Sequence, residues 1–323
     1  EGGYSALHAS GLDRSALGES LSGVFVGFAG TEFGQLLAST PVGSSVYAVT
    51  GSSISIASGR LSYALGLHGP CVTYDTACSA ALSACHAGLR ALQLDECTSA
   101  LVLGVQLMLG PGAGIGFAVA GMTSARGRSH TFDARADGYA RGEACCAAAL
   151  RGAEEGALLV VAGSAVRQDG RSASLTAPSG QAQQGLLSAA LADGCMRADG
   201  LALNEAHGTG TVLGDPVEVG SFASAVLDGR GLSAKSLALG GIKANIGHAE
   251  PAAGMTGLLK LAVGLEACVA APNAQLLCLN THVYAALRSR EGRCALPAHA
   301  AAVSAKVLAG GVSSFGYSGT IAH

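Results

Sequence analysis

The chain has 323 residues, 49% of them hydrophobic, and a net charge of −3. That length supports one large core or two fused halves. Mild acidity without any Lys/Arg cluster excludes a polyanion-binding surface, so no nucleic-acid partner is expected.

Strand-like and helical runs alternate along the chain. "GVFVGFAG" (23–30) reads as a buried strand and "SISIASGRLSYALGL" (53–67) as a helix. "TYDTACSAALSACHAGLRAL" (73–92) changes at Cys78 from a short strand pattern to a helix whose apolar face is Leu82, Cys85, Leu89 and Leu92. "ALVLGV" (100–105), "CCAAAL" (145–150) and "ALLVVAGSAV" (157–166) read as strands. Residues 98–125 carry no charge, but "LGPGAGIG" (109–116) sets Pro111 and four glycines inside them. A buried strand followed by a loop is expected there rather than a membrane span, which needs ~20 mainly apolar helical residues. "GQAQQGLLSAALADG" (180–194) is helical, "LALNEAH" (201–207) extended and "DPVEVGSFASAVL" (215–227) helical. "LALGGIKANIGH" (237–248) is extended, "PAAGMTGLLKLAVGLEACV" (251–269) helical, and "AAVSAKVLAGGVSSFG" (301–316) extended. The alternation predicts an α/β fold with largely buried strands. No low-complexity linker and no repeat divides it.

The ten cysteines are scattered, with Cys145-Cys146 the one close pair and no C-x-x-C. Neither a zinc site nor a redox pair is expected, and the thiols read as small buried hydrophobes of a reducing compartment. No signal peptide pattern stands at Glu1, so an intracellular, cytoplasmic setting is expected. The opening reads as mid-domain, with a natural start expected upstream.

Cys78 sits where a strand pattern meets a helix. The unpaired N–H groups and positive dipole end of a helix N-terminus favour thiolate over thiol. A strand-to-helix turn also presents its side chain outward, as in the nucleophile elbow of hydrolases. The alternative is one more buried thiol, so a partner base is needed. Two histidines stand beside glycines at strand ends: His207 in "NEAHGTGTVLGDPVE" (204–218) and His248 in "IKANIGHAEPAAG" (242–254). Each taken singly could instead be a satisfied structural histidine. His86, eight residues beyond Cys78 on the same helix, lies ~12 Å along the axis and is assigned to packing. Neither glycine-rich stretch has a dinucleotide or P-loop pattern, which argues against nucleotide binding.

"DTACSAAL", "EAHGTGTVLGDPVE", "KANIGHAEPAAG" and "GVSSFGYSGTIAH" together resemble the β-ketoacyl synthase (ketosynthase) domain of type I polyketide synthases. "GMTSARGRSHTFDARADGYARGEA" (121–144) and "SAVRQDGRSASLTAPSGQAQ" (164–183) resemble further signatures of that family, and the likeness runs in order from about Gly23 to His323. The resemblance implies a thiolase-like layered αβαβα fold of two related halves. Roughly 1–150 would carry the nucleophile and 151–323 the two histidines, with the opening strand of the domain missing. It implies a homodimer working with an acyl carrier protein, an acyltransferase and other synthase domains, with no cofactor or metal bound by the domain itself. Its substrates ride on the carrier's phosphopantetheine.

By resemblance, Cys78 takes the acyl chain as a thioester. The enolate from malonyl-carrier decarboxylation then attacks it, in polyketide or fatty acid elongation. His207 and His248 would hydrogen-bond the enolate oxygen, with Lys243 fixing the charge around them. The backbone N–H groups of Cys78 and Tyr317 would form the oxyanion hole, with Phe315 and Gly316 lining the acyl site. Thr209 and Thr211 would bind the pantetheine amides, although as hydroxyls in a turn they could equally stabilise it. Three departures stand out: Ile321 where the family has Asn, Arg167 where Asn is common, and Ala144 where Gly is common. Isoleucine cannot hold a loop by hydrogen bonds. A thiolase would need a second cysteine in the closing motif, and a chain-initiating synthase would have Asn in place of His248. The remaining alternative is a non-elongating or scaffold ketosynthase-like domain.

Overall fold

In the computed structural model the described residues are 1–30, 32–152, 157–231, 233–303 and 309–323. The chain divides into two compact units. One comprises Glu1–Gly116, Glu143–Ala157 and Glu250–Met255, the other Phe117–Gly142, Leu158–Ala249 and Thr256–His323.

The first unit is built on one sheet of β1 (Ser22–Phe28), β2 (Cys71–Tyr74), β3 (Ser99–Gln106) and β4 (Ala144–Arg151), in the order β2-β1-β3-β4. β1 pairs parallel with β2 and β3, and β4 closes the edge antiparallel to β3. A strand with parallel neighbours on both sides is covered on both faces, which is why β1 is an unbroken apolar run. Val24 and Val26 pack with Leu7, Leu17, Leu67, Leu101 and Leu103. Helix Ala80–Gln93 lies against β1 and β3. Two glycines set its approach. Gly27 and Gly104 are register partners, and a Cβ on Gly27 would fall 2.4 Å from Ala81 Cα, one on Gly104 2.9 Å from Ala81 Cβ. The pair forms a notch for Ala81, three residues beyond Cys78.

The second unit has a four-stranded sheet, order β11-β6-β7-β9, from β6 (Leu201–Glu205), β7 (Leu237–Gly240), β9 (Cys294–Ala295) and β11 (Ala309–Val312), all parallel neighbours. β5 (Val166–Gln168), β12 (Ser314–Phe315) and β13 (Thr320–Ala322) form an antiparallel sheet, order β12-β13-β5. β8 (Val269–Ala270) pairs with β10 (Ala301–Ala302). Helices Gly180–Asp193 and Gly214–Phe222 pack together, and Leu187, Val219, Phe222, Leu201 and Leu239 join one core with Phe132 and Val283.

Three readings change. Residues 109–116 are not a loop: Pro111–Val119 is a helix, because Pro is tolerated in a first turn whose N–H groups have no partner, and Glu32 accepts from the Leu109 and Gly110 amides at 2.5 and 3.0 Å. Of 157–166 only Val166 enters a strand, and the rest is irregular. Residues 237–248 are extended only to Gly240, after which Lys243–Ile246 form a helical turn. Within 301–316, residues 304–308 lie outside the described residues.

Candidate active site

Cys78 belongs to the first unit, between β2 and the helix Ala80–Gln93. Ala77, just before it, takes φ 52°, a left-handed value that β-carbon residues adopt only under constraint. The constraint is local. Asp75 accepts from the Ala77 N–H at 3.2 Å, and Thr76 and Ser79 hydroxyls bond each other at 2.8 Å. Ser79 Oγ also donates to the Thr76 carbonyl at 2.8 Å. The thiol is buried in the turn just before a 14-residue helix capped at Ser79, and the Ser79 and Ala80 N–H groups of that turn donate to the Thr76 and Ala77 carbonyls. Cys85, about two turns further along, is buried, and burial pushes its thiol up to about 11.

The second unit brings His207, His248, Lys243 and Phe315 together. His207 follows β6 and opens a loop in which Gly208 and Gly210 have φ 50° and 74°. A Cβ on Gly210 would sit 2.7 Å from the His130 nitrogen, so glycine is required there for space as well as for conformation. Two buried carboxylates from the following helix hold this loop. Glu218 accepts from the His207 and Gly208 N–H groups at 2.6 and 2.8 Å. Asp215 accepts from Gly210 N–H at 3.0 Å and Phe132 N–H at 2.7 Å. Burial raises Glu218 to about 7 and Asp215 to about 6.

The Phe315 N–H donates to His207 Nδ1 at 3.2 Å. A ring nitrogen that accepts carries no proton, so a neutral His207 presents Nε2–H as a donor. The His207 ring lies 5.4 Å from Phe315 and 5.5 Å from His248, the two imidazoles edge to face. His248 is fully buried and exchanges backbone bonds with the 140–142 segment: its N–H donates to Ala140 O at 2.6 Å and its carbonyl accepts from Gly142 N–H at 2.9 Å. Tyr139 packs edge-on at 4.8 Å. Gly247, φ 78°, makes this approach possible, since a Cβ there would meet Ala140 O and Arg141 O at 3.0 Å. Both histidines are held well below the ordinary imidazole range, first by burial and then by the Lys243 ammonium; His248 adds to the effect on His207. Both are therefore neutral at physiological pH.

Thr209 and Thr211 hydroxyls lie 3.2 Å apart, and Thr211 Oγ1 accepts from Gly214 N–H at 3.1 Å, so Thr211 stabilises the turn before the helix. Gly316 and Phe315 amides are committed within the loop, the former to Thr320 O at 2.8 Å and the latter to His207. Tyr317 is half exposed, its ring edge-on to Phe117 at 6.4 Å. Ile321 is fully buried against Phe315, Leu186 and Ala190 and so ties the β12–β13 hairpin down by packing. Sequence reasoning did not single out Asp215, Glu218 or Tyr139. The signal for the acids was available, an Asp-Pro and a Glu one turn apart at the start of an apolar helix directly after a glycine-rich loop.

The chain matches the β-ketoacyl synthase N-terminal domain over residues 1–156 and the C-terminal domain over residues 158–277. It is a member of the β-ketoacyl synthase family. It is 39% identical over 328 residues to a phenolphthiocerol/phthiocerol polyketide synthase of Mycobacterium tuberculosis, covering 99% of this chain and 15% of that protein. It is 40% identical over 272 residues to polyketide synthase GfsB of Streptomyces halstedii, covering 82% of this chain and 5% of that protein. The ketosynthase from module 6 of the bacillaene synthase of Bacillus subtilis superposes with a TM-score of 0.89 at 30% identity, over 99% of this chain and 56% of that one. The oxazolomycin ketosynthase domain of Streptomyces albus gives 0.89 at 31%, over 99% and 57%. The ketosynthase thus has the thiolase-like fold of its structural neighbours and spans a small fraction of the polyketide synthases it matches. Among the described residues no helix is long and apolar enough to cross a membrane.

Proposed function

We propose that this ketosynthase catalyses the elongating, decarboxylative condensation of an acyl chain with a malonyl unit, both delivered on the phosphopantetheine of an acyl carrier protein. The Cys78 thiolate attacks the acyl thioester carbonyl, and the pantetheine thiol leaves. Backbone N–H groups of Cys78 and Tyr317 stabilise the oxyanion. Malonyl thioester then loses carbon dioxide, and its electron pair moves onto the thioester oxygen as an enolate. The enolate carbon attacks the Cys78 acyl carbonyl, and the thiolate leaves, giving a β-ketoacyl thioester. Thr209 and Thr211 bind the pantetheine, Phe315 and Gly316 border the acyl chain, and Lys243 holds the histidines neutral. The natural partners are the carrier protein, an acyltransferase and neighbouring synthase domains, with the ketosynthase as a homodimer.

The observation that supports this reading best is the pair of imidazoles whose rings lie 5.5 Å apart, both kept neutral. Two neutral N–H donors suit an oxygen that becomes negative only in the transition state. A cationic pair would bind the malonyl carboxylate and resist its loss. The test separates two half-reactions: Cys78 acylation by intact mass, and carbon dioxide release from malonyl carrier protein. His248→Ala is expected to keep acylation and slow decarboxylation by ~10²–10³, the usual cost of losing one preorganised donor. His207→Ala is expected to slow decarboxylation similarly. If His248→Ala abolished acylation and spared decarboxylation, the enolate role would be wrong.

A further inference from the structure

Glu205 ends β6 two residues before His207 and is almost fully enclosed, its side chain 4% exposed. Its Oε2 accepts from Lys260 Nζ at 2.6 Å, and its Oε1 accepts from the Ile242 N–H. Ile242 immediately precedes Lys243 and begins the turn that ends at Gly247 and delivers His248. The β6–β7 ladder pairs Leu203 with Ala238, Asn204 with Leu239 and Glu205 with Gly240, and a last backbone bond runs from Ala206 N–H to Gly240 O at 2.8 Å. Beyond that point the Glu205 carboxylate takes over, binding the strand of His207 to the segment carrying Lys243 and His248. The preceding residue, Gly241, is held from another side by Asn273 Oδ1, which accepts its N–H at 2.8 Å.

Two glycines leave the space for this carboxylate. A Cβ on Gly240 would lie 2.8 Å from Lys260 Nζ and 3.1 Å from Glu205 Oε2. One on Gly257 would lie 3.2 Å from Glu205 Cγ. Lys260 is itself only 18% exposed, so the ion pair is sheltered and its geometry restricted. A charge-assisted bond to a backbone amide is roughly twice as strong as a neutral one and correspondingly better at fixing a position. We propose that Glu205, oriented by Lys260, is a positioning residue that sets the start of the Lys243–His248 segment relative to His207. The inference rests on the reading of the two histidines as enolate donors. It adds a requirement that neither histidine reveals alone: their separation depends on a carboxylate that touches no substrate.

The test uses the full chain with acyl-pantetheine for loading and malonyl-pantetheine for decarboxylation. Glu205→Gln leaves one acceptor oxygen to serve two donors, Lys260 Nζ and the Ile242 N–H, so one of the two bonds must fail. It is expected to lower the kcat of decarboxylation about 10- to 100-fold, since a 1 Å misplacement can cost ~10². KM for malonyl-pantetheine and Cys78 loading are expected to stay within about twofold, and amide exchange of the 241–248 segment to rise at least about tenfold while other segments keep their protection. Glu205→Asp keeps the charge but is one methylene too short to reach both partners, and is expected to show the same split. Lys260→Arg keeps a cation on the carboxylate and should retain wild-type exchange and a rate within about threefold. Unchanged rate and exchange in both Glu205 variants would overturn the proposal, as would equal loss of loading and decarboxylation, the signature of general disruption. His207→Ala measured alongside separates the two claims. If that variant decarboxylates normally the enolate reading falls, and the positioning role is then decided by the 241–248 exchange alone.

Discussion

His207 and His248 owe their neutrality to surroundings that differ in detail and agree in effect. One is tethered through Nδ1 to a backbone amide; the other is clamped through its own backbone and an aromatic edge. For both, burial is the largest cause and the Lys243 charge the next. This has a consequence for stability with a definite sign. The folded pKa of His248 is depressed below the ordinary value of 6.5, so below about pH 6.5 the unfolded chain binds a proton that the folded chain does not. Stability then rises with pH where the unfolded state is the more protonated, and is lost as pH falls through 6.5. Asp215 and Glu218, with raised values, contribute the opposite slope, so the effect must be read as a difference. His248→Asn should gain on wild type as pH is lowered from about 7 to 5, and the difference should be flat above about 7. Paired thermal melts check this; a difference that grows instead toward alkaline pH would mean that His248 is charged in the folded chain.

Elements place these residues more than residues place themselves. The loop after β6 is held at His207, Gly208 and Gly210 by carboxylates of the next helix, and the β12–β13 hairpin reaches His207 through the Phe315 amide and ring. Ile321 anchors that hairpin by filling a cluster with Phe315 and Leu186. Ile321→Ala should therefore lower stability by roughly 2–5 kcal/mol, the range for such core truncations, and should also slow decarboxylation, because Phe315 N–H would no longer hold His207. Ile321→Val should cost about 0.5–1.5 kcal/mol with near-normal rate. Chemical denaturation and carbon dioxide release measure both; full stability in Ile321→Ala would show that the hairpin is anchored elsewhere. The same elements show what could be read beforehand. β1 and β3 were legible as runs of largely buried apolar residues, Val24–Phe28 and Ala100–Val105, and β6 by its Leu201–Leu203 start, with Asn204 and Glu205 closing it. The helix at Pro111–Val119 was not, since three glycines mask helical periodicity and its stabilising cap comes from Glu32, far away in sequence. The Lys243 turn looked extended because four residues are too short to show a period, and its start is held by Glu205, a tertiary partner.

At the scale of the molecule, the sequence pointed to Cys78, His207 and His248 through flanking small residues and six motifs in order, although His248 follows the Lys243–Ile246 turn and not a strand end. Their supports were not, because buried acids such as Asp215, Glu218 and Glu205 look in sequence like any surface carboxylate. Among the described residues each histidine is explained within its own unit, and Cys78 within the other. The central claim is that these three residues perform one condensation. The most direct measurement is mass spectrometry of the carrier protein after acyl-loaded ketosynthase is mixed with malonyl carrier protein. The expected product is a β-ketoacyl carrier extended by two carbons, with acyl-Cys78 consumed and carbon dioxide released in step, all lost in Cys78→Ser. An acyl-Cys78 that persists, or transfers intact to the carrier without carbon dioxide release, would contradict the claim and identify a non-elongating domain.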